Sequence, residues 1–202
     1  MWTTFPGGCY FLAVIDARVR PHVTRYLDAM GRGLSKIGMT PAAMTGLGLA
    51  LVLVGSVMVG MGRLVSGGWV IAVGSLLDGL DGAVARASGK VTAKGAFLDS
   101  AFDRVGEIAA FGGLAFAMEG NARVLLLIVL AVGGAMLVPY MRARAEAEGL
   151  SGQGGIMGRT ERLILFCSGL VFGFVEVMLW IFVVLVWLTA LMRFLRTYRS
   201  IE

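Results

Sequence analysis

The chain has 202 residues, 57% of them hydrophobic and 15% charged, with a formal net charge of +5 and a mean hydropathy of +0.82. A soluble domain carries about 25% charge and gathers its apolar residues in short periodic groups; here they run on for roughly 20 residues, the length that crosses an ~30 Å hydrocarbon core. These values exclude a soluble enzyme, a disordered chain and a disulfide scaffold, and they describe an all-α integral membrane protein.

The first segment, residues 1–38, does not read as a cleavable signal. Asp16, Arg18 and Arg20 interrupt it, and no apolar stretch ends in a small-residue cleavage site. Between Asp16 and Gly38, charges alternate with Val19, Val23, Tyr26, Leu27, Met30, Leu34 and Ile37 at helical spacing. That pattern points to an amphipathic helix lying in the membrane interface; a short cytosolic helix packed on the bundle would read the same way. Residues 39–202 form one membrane domain with six expected spans: Pro41–Met61, Gly67–Arg86, Gly95–Met118, Ala122–Met141, Glu161–Val175 and Val177–Arg196. Only Glu176 and its neighbours divide the last two. The 30 glycines suit close packing between membrane helices, and Cys9 and Cys167 stand at no metal or redox spacing.

Orientation follows from the basic residues. With the N-terminus inside, 16 of the 18 Lys and Arg residues fall on the cytoplasmic side, and only Arg63 and Arg123 fall outside. The expected location is the cytoplasmic membrane, with the positive face toward anionic headgroups or phosphorylated substrates.

Five acidic residues interrupt the apolar spans: Asp78, Asp81, Asp99, Asp103 and Glu107. An ionisable group inside a span costs at least a few kcal/mol, so each marks a functional site by default. On helices, Asp78 and Asp81 lie about 60° apart and Asp99 and Asp103 about 40° apart. Antiparallel helices joined by residues 87–94 would bring both pairs to one depth, roughly 7 Å below the cytoplasmic surface at 1.5 Å per residue. Four facing carboxylates require positive charge among them. Oxygen donors suit Mg²⁺, Mn²⁺ or Ca²⁺, and the only histidine, His22, lies far away in the N-terminal segment. Ion pairs with Arg86 and Arg104 are the alternative, but two charges do not balance four.

The segment Asp78-Gly-Leu-Asp81-Gly82-Ala-Val-Ala85-Arg86, eight residues, Gly95, three residues, Asp99, three residues, Asp103 resembles the signature of the CDP-alcohol phosphotransferases. Eight fixed residues over 26 positions make that a specific match. The resemblance implies six transmembrane helices after an interfacial helix, and two divalent cations, Mg²⁺ or Mn²⁺. It implies Asp78, Asp81, Asp99 and Asp103 as metal ligands, with Asp103 also the general base. Gly82, Ala85, Arg86 and Gly95 would contact the CDP-linked donor.

A second cluster bears on the acceptor. Tyr140-Met-Arg142-Ala-Arg144-Ala-Glu146-Ala-Glu-Gly149, followed by Arg159-Thr-Glu161-Arg162, is similar to the subgroup that makes phosphatidylinositol phosphates. By that resemblance Arg142, Arg162 and Arg193 would hold the acceptor's phosphate, for which converging guanidiniums are suited. Arg159, Arg196 and Arg199 read instead as orientation determinants. Pro139, Arg142 and Ala42 depart from the subgroup, which commonly has a small hydroxyl residue, a lysine and a polar residue there.

The expected reaction is phosphatidyl transfer from CDP-diacylglycerol to inositol 1-phosphate, with release of CMP. Glycerol 3-phosphate or another polar alcohol is the alternative acceptor. A cation channel or transporter would need polar residues continuing outward, and the outer halves of the spans are almost purely apolar. The resemblance also implies a homodimer, for which Gly112-Gly113 and Gly133-Gly134 would permit close packing. No nucleic acid partner is expected.

Overall fold

The computed structural model describes Gly33 and residues 40–81, 84–85, 89, 92–152 and 154–201. The interfacial helix expected over 16–38 lies outside these residues apart from Gly33, as do Gly82 and Arg86. Among the described residues the secondary structure is helical, with six helices and no strand: α1 Pro41–Gly60, α2 Leu64–Asp78, α3 Ala93–Ala117, α4 Ala122–Ala147, α5 Arg159–Phe172 and α6 Val175–Ser200.

The helix starts are written locally. Thr40, Thr92 and Asn121 each accept a hydrogen bond from the backbone N–H three residues on, at 3.2, 3.0 and 3.2 Å. Each thereby satisfies a donor that the first turn leaves without a partner. Pro41 opens α1, where its missing N–H costs nothing. Gly173, at φ +77°, ends α5 and turns the chain directly into α6. That turn lies three residues before Glu176, the position at which the sequence divides the last two spans.

Three helices, α1, α4 and α6, are long and apolar enough to cross a membrane. The other three fall short for physical reasons. At 15 residues α2 is apolar but spans only about 22 Å; α3 carries Asp99, Asp103, Arg104 and Glu107 in its middle; α5 has 14 residues and opens with Arg159, Glu161 and Arg162. In α3 and α5 the charges that line the site are the ones that lower the helix's apolarity.

The expected second span also breaks early. It ends at Asp78, because the Gly79 N–H turns back to the Ser75 and Leu77 carbonyls and the Leu80 N–H bonds to the Leu77 carbonyl. Asp81 starts a new helical segment, so Asp78 and Asp81 do not share one continuous helical stripe.

Backbone contact through glycines draws α1 onto α2. A Cβ on Gly48 would meet the Asp78 Cβ and the Gly74 carbonyl at 2.8 Å, and one on Gly67 would meet the Gly55 carbonyl at 2.8 Å. This close crossing sets Asp78 against α1. Helix α3 packs on α1 as well, with Gly113 against the Ser56 carbonyl. Gly134 packs on Val186 and Trp187, where α4 meets α6, and the Trp187 Nε1–H donates to the Leu130 carbonyl at 3.0 Å. One glycine of each pair expected at a dimer contact is therefore used inside the protomer. Below the site, Phe111 makes edge-to-face contacts with Phe166 at 4.8 Å and Phe182 at 5.1 Å, tying α3, α5 and α6 into one core.

Candidate metal and phosphate site

Three carboxylates converge. Asp78 ends α2, while Asp99 and Asp103 lie one turn apart on α3, and one oxygen from each lies within 4.8 Å of the others. The side chains of Asp78 and Asp103 are only 7% and 9% exposed. Asp81 stands outside this trio; its Oδ2 accepts a 2.6 Å hydrogen bond from Thr45 Oγ1 on α1. Asp81 nonetheless stays within electrostatic reach of Asp99.

Burial this deep demands counter-charge, because a carboxylate out of water costs several kcal/mol unless paired. Arg104 Nη1 donates to Asp103 Oδ2 at 3.1 Å. Arg159 Nη2 donates to Asp78 Oδ2 at 2.6 Å and also stands against Asp103 Oδ1. That Oδ1 is buried and receives no well-directed hydrogen bond despite the ion-pair contact. Clustered all-oxygen donors with one under-satisfied oxygen fit a hard divalent cation such as Mg²⁺ or Mn²⁺.

The role of Arg159 is not legible in its position alone, since an arginine at a helix end reads as an orientation determinant. Two signals could have found it. It lies three residues before Arg162, hence on the same helix face, and the imbalance of two arginines against four aspartates called for another cation.

One turn beyond Asp103, Glu107 receives two bonds from Arg162, Nε to Oε1 at 2.7 Å and Nη2 to Oε2 at 3.2 Å. Arg162 is 4% exposed, so this is a buried bidentate pair of the strong kind. The sequence marks Glu107 as an intramembrane acid without giving it a partner. Asp78, Asp103 and Glu107 line one cavity together with both arginines, and its apolar wall includes Phe102, Phe111 and Phe182.

The remaining expected acceptor residues lie on the α4–α6 side. Arg142 pairs with Glu146 at 2.8 Å along α4. Arg193 donates to the Gly154 and Val138 carbonyls, both at 2.8 Å, and it lies within electrostatic reach of Arg142 and Arg162. The loop entering α5 is held by Thr189 Oγ1, which accepts from the Ile156 N–H at 3.3 Å and the Met157 N–H at 3.0 Å. Gly154 and Gly155, at φ +115° and +104°, shape that loop where L side chains rarely fit. Of the residues expected at the donor, Gly95 lies in the first turn of α3 with its N–H on Thr92 Oγ1, and Ala85 is helical and half-buried.

Comparison with known proteins fits this geometry. Residues 38–199 match the CDP-alcohol phosphatidyltransferase family. A phosphatidylinositol phosphate synthase of Mycobacterium marinum is 41% identical over 155 residues, 74% of this chain and 66% of that protein. An archaetidylinositol phosphate synthase of Pyrococcus horikoshii is 33% identical over 190 residues, 92% of this chain and 98% of that one. Two crystal structures of the Mycobacterium tuberculosis phosphatidylinositol phosphate synthase superpose well. The form with CDP-DAG bound has a TM-score of 0.79 at 31% identity, covering 86% of this chain and 94% of that chain. The complex with manganese and citrate has a TM-score of 0.77 at 34% identity, covering 85% and 88%. The carboxylate signature, the helical fold and the match over residues 38–199 agree: the chain belongs to the CDP-alcohol phosphatidyltransferases, membrane enzymes of phospholipid synthesis.

Proposed function

We propose that the protein transfers the phosphatidyl group of CDP-diacylglycerol to inositol 1-phosphate, releasing CMP and forming a phosphatidylinositol phosphate. The observation that carries the reading is the converging trio of Asp78, Asp99 and Asp103, with Asp78 and Asp103 lining the same cavity as Arg159 and Arg162. The synthases named above support inositol phosphate as acceptor.

Asp78, Asp81, Asp99 and Asp103 would hold two divalent cations, Mg²⁺ or Mn²⁺, whose charge when bound neutralises the donor pyrophosphate and stabilises the departing CMP. Asp103 takes the proton from the acceptor hydroxyl as that oxygen attacks the β-phosphorus, a role open to a carboxylate with an under-satisfied oxygen. Arg142, Arg162 and Arg193 hold the acceptor's own phosphate, and Glu107 fixes the plane of Arg162 so that its remaining N–H groups point one way. By the family signature, Gly82, Ala85, Arg86 and Gly95 would contact the donor. The apolar wall of the cavity keeps water from competing with the acceptor.

In this reading residues 1–38 lie on the interface, and residues 39–202 make six membrane-crossing helices. The site opens to the cytoplasm of a cell membrane, and the protein works as a homodimer. CMP release from CDP-diacylglycerol by detergent-purified protein tests the chemistry. Release is expected only with Mg²⁺ or Mn²⁺ and an acceptor present, and Asp103→Asn is expected to abolish it. Metal-independent release, or full activity in the variant, would overturn the assignment of the aspartates.

A further inference from the structure

Two arginines enter the cavity from the same face of α5, and they are held differently. Arg162 is 4% exposed and clamped by both oxygens of Glu107. Arg159 has a side chain 43% exposed, and one nitrogen, Nη2, is shared between Asp78 Oδ2 and Asp103 Oδ1. Arg159 is also the first residue of α5. It follows Gly158, which gives the helix no side-chain cap, and a loop containing Gly154 and Gly155. Arg162 is therefore held by a buried bidentate pair, while Arg159 is held through one nitrogen with its side chain open to solvent.

The carboxylates that Arg159 bridges are two of the three whose oxygens lie within 4.8 Å of one another. A cation bound among those oxygens would occupy the space that the guanidinium now fills. Charge makes sharing costly. A divalent ion placed against Asp78 and Asp103 would face the Arg159 guanidinium already in contact with both, and like charges at that range repel.

We infer that Arg159 is a resident counter-ion of the acidic cluster and that it competes with divalent cations for Asp78 and Asp103. This rests on the reading of the trio as a divalent-cation site. Metal-free, the enzyme keeps its buried carboxylates paired; with metal, the guanidinium is expelled toward the cavity mouth. The device lets one set of buried carboxylates remain stable in both states, and it sets the metal affinity lower than the bare carboxylates would.

The test is Mn²⁺ binding to detergent-purified protein, followed by loss of the free-ion electron paramagnetic resonance signal. Arg159→Gln removes the competing charge, so its Mn²⁺ dissociation constant is expected to fall by about tenfold. Without metal it should unfold at a lower temperature than the wild type, and added Mn²⁺ should raise its Tm by more. Arg159→Lys keeps the charge and loses the fork; its affinity should lie between the other two, and it carries the test alone if the glutamine variant does not fold. Affinity equal to or weaker than wild type in the folded variants would overturn the inference, since guanidinium and ion would then coexist. Failure of the wild type itself to bind Mn²⁺ would remove the metal site, a different outcome from failure of the competition.

Discussion

The two charged regions of this molecule are built on opposite plans. On the α2–α3 side, three carboxylates crowd within 4.8 Å and depend on Arg104 and Arg159 for positive charge. On the α4–α6 side, the arginines have their donors directed at named partners: Arg142 at Glu146, and Arg193 at the Gly154 and Val138 carbonyls. The first region is short of charge and calls for a cation. The second has its arginines directed at partners within the chain. Arg162 lies between them, since it binds Glu107 on α3 and acts electrostatically on Arg193 of α6. On the proposed function, the acidic region would fix the chemistry and the basic region would choose the acceptor.

Breaking the acidic region should have the largest effect. Asp103→Asn removes the proposed base and one ligand, with an expected loss of at least about 10²–10⁴ in the rate of CMP release. The link between the regions comes next. Arg162→Ala strands the Glu107 carboxylate, which should destabilise the fold by about 3–5 kcal/mol; Glu107→Gln with Arg162→Ala should recover part of that, as thermal unfolding in detergent would show. A change at the helix crossing should cost less: Gly48→Ala forces a methyl against Asp78 Cβ and the Gly74 carbonyl, about 1–3 kcal/mol of overpacking. Its activity should fall as well, because the strain would displace Asp78, a proposed metal ligand. The smallest stability effect belongs to the basic region. Arg142→Ala removes an exposed pair on α4 and should shift stability by less than about 1 kcal/mol. It should still raise KM for the phosphorylated acceptor while leaving donor KM unchanged.

How much of this was legible in the sequence depends on the kind of signal. Asp78, Asp99 and Asp103 stood out because charge inside an apolar run is expensive and their spacing is fixed. The helices were legible from the apolar runs, and α1 begins at Pro41 as read. The break after Asp78 was hidden, because the apolar pattern continues through Leu80 and Val84 while Gly79 adopts ordinary right-handed helical angles. Arg159 was hidden for another reason. Its contact with Asp78 joins residues 81 apart, and nothing local distinguishes a topology-setting arginine from a counter-ion. The glycine pairs carried the right property and an incomplete destination: close packing is needed, but Gly113 and Gly134 find it against Ser56 and Val186 within the same chain.

The most direct test of the account is identification of the lipid product by mass spectrometry when CDP-diacylglycerol meets inositol 1-phosphate and glycerol 3-phosphate at equal concentration, with Mg²⁺ present. The account predicts phosphatidylinositol phosphate as the main product, and a shift away from it in Arg142→Ala. Phosphatidylglycerophosphate as the main product would contradict the assignment of the basic region, while leaving the carboxylate chemistry in place.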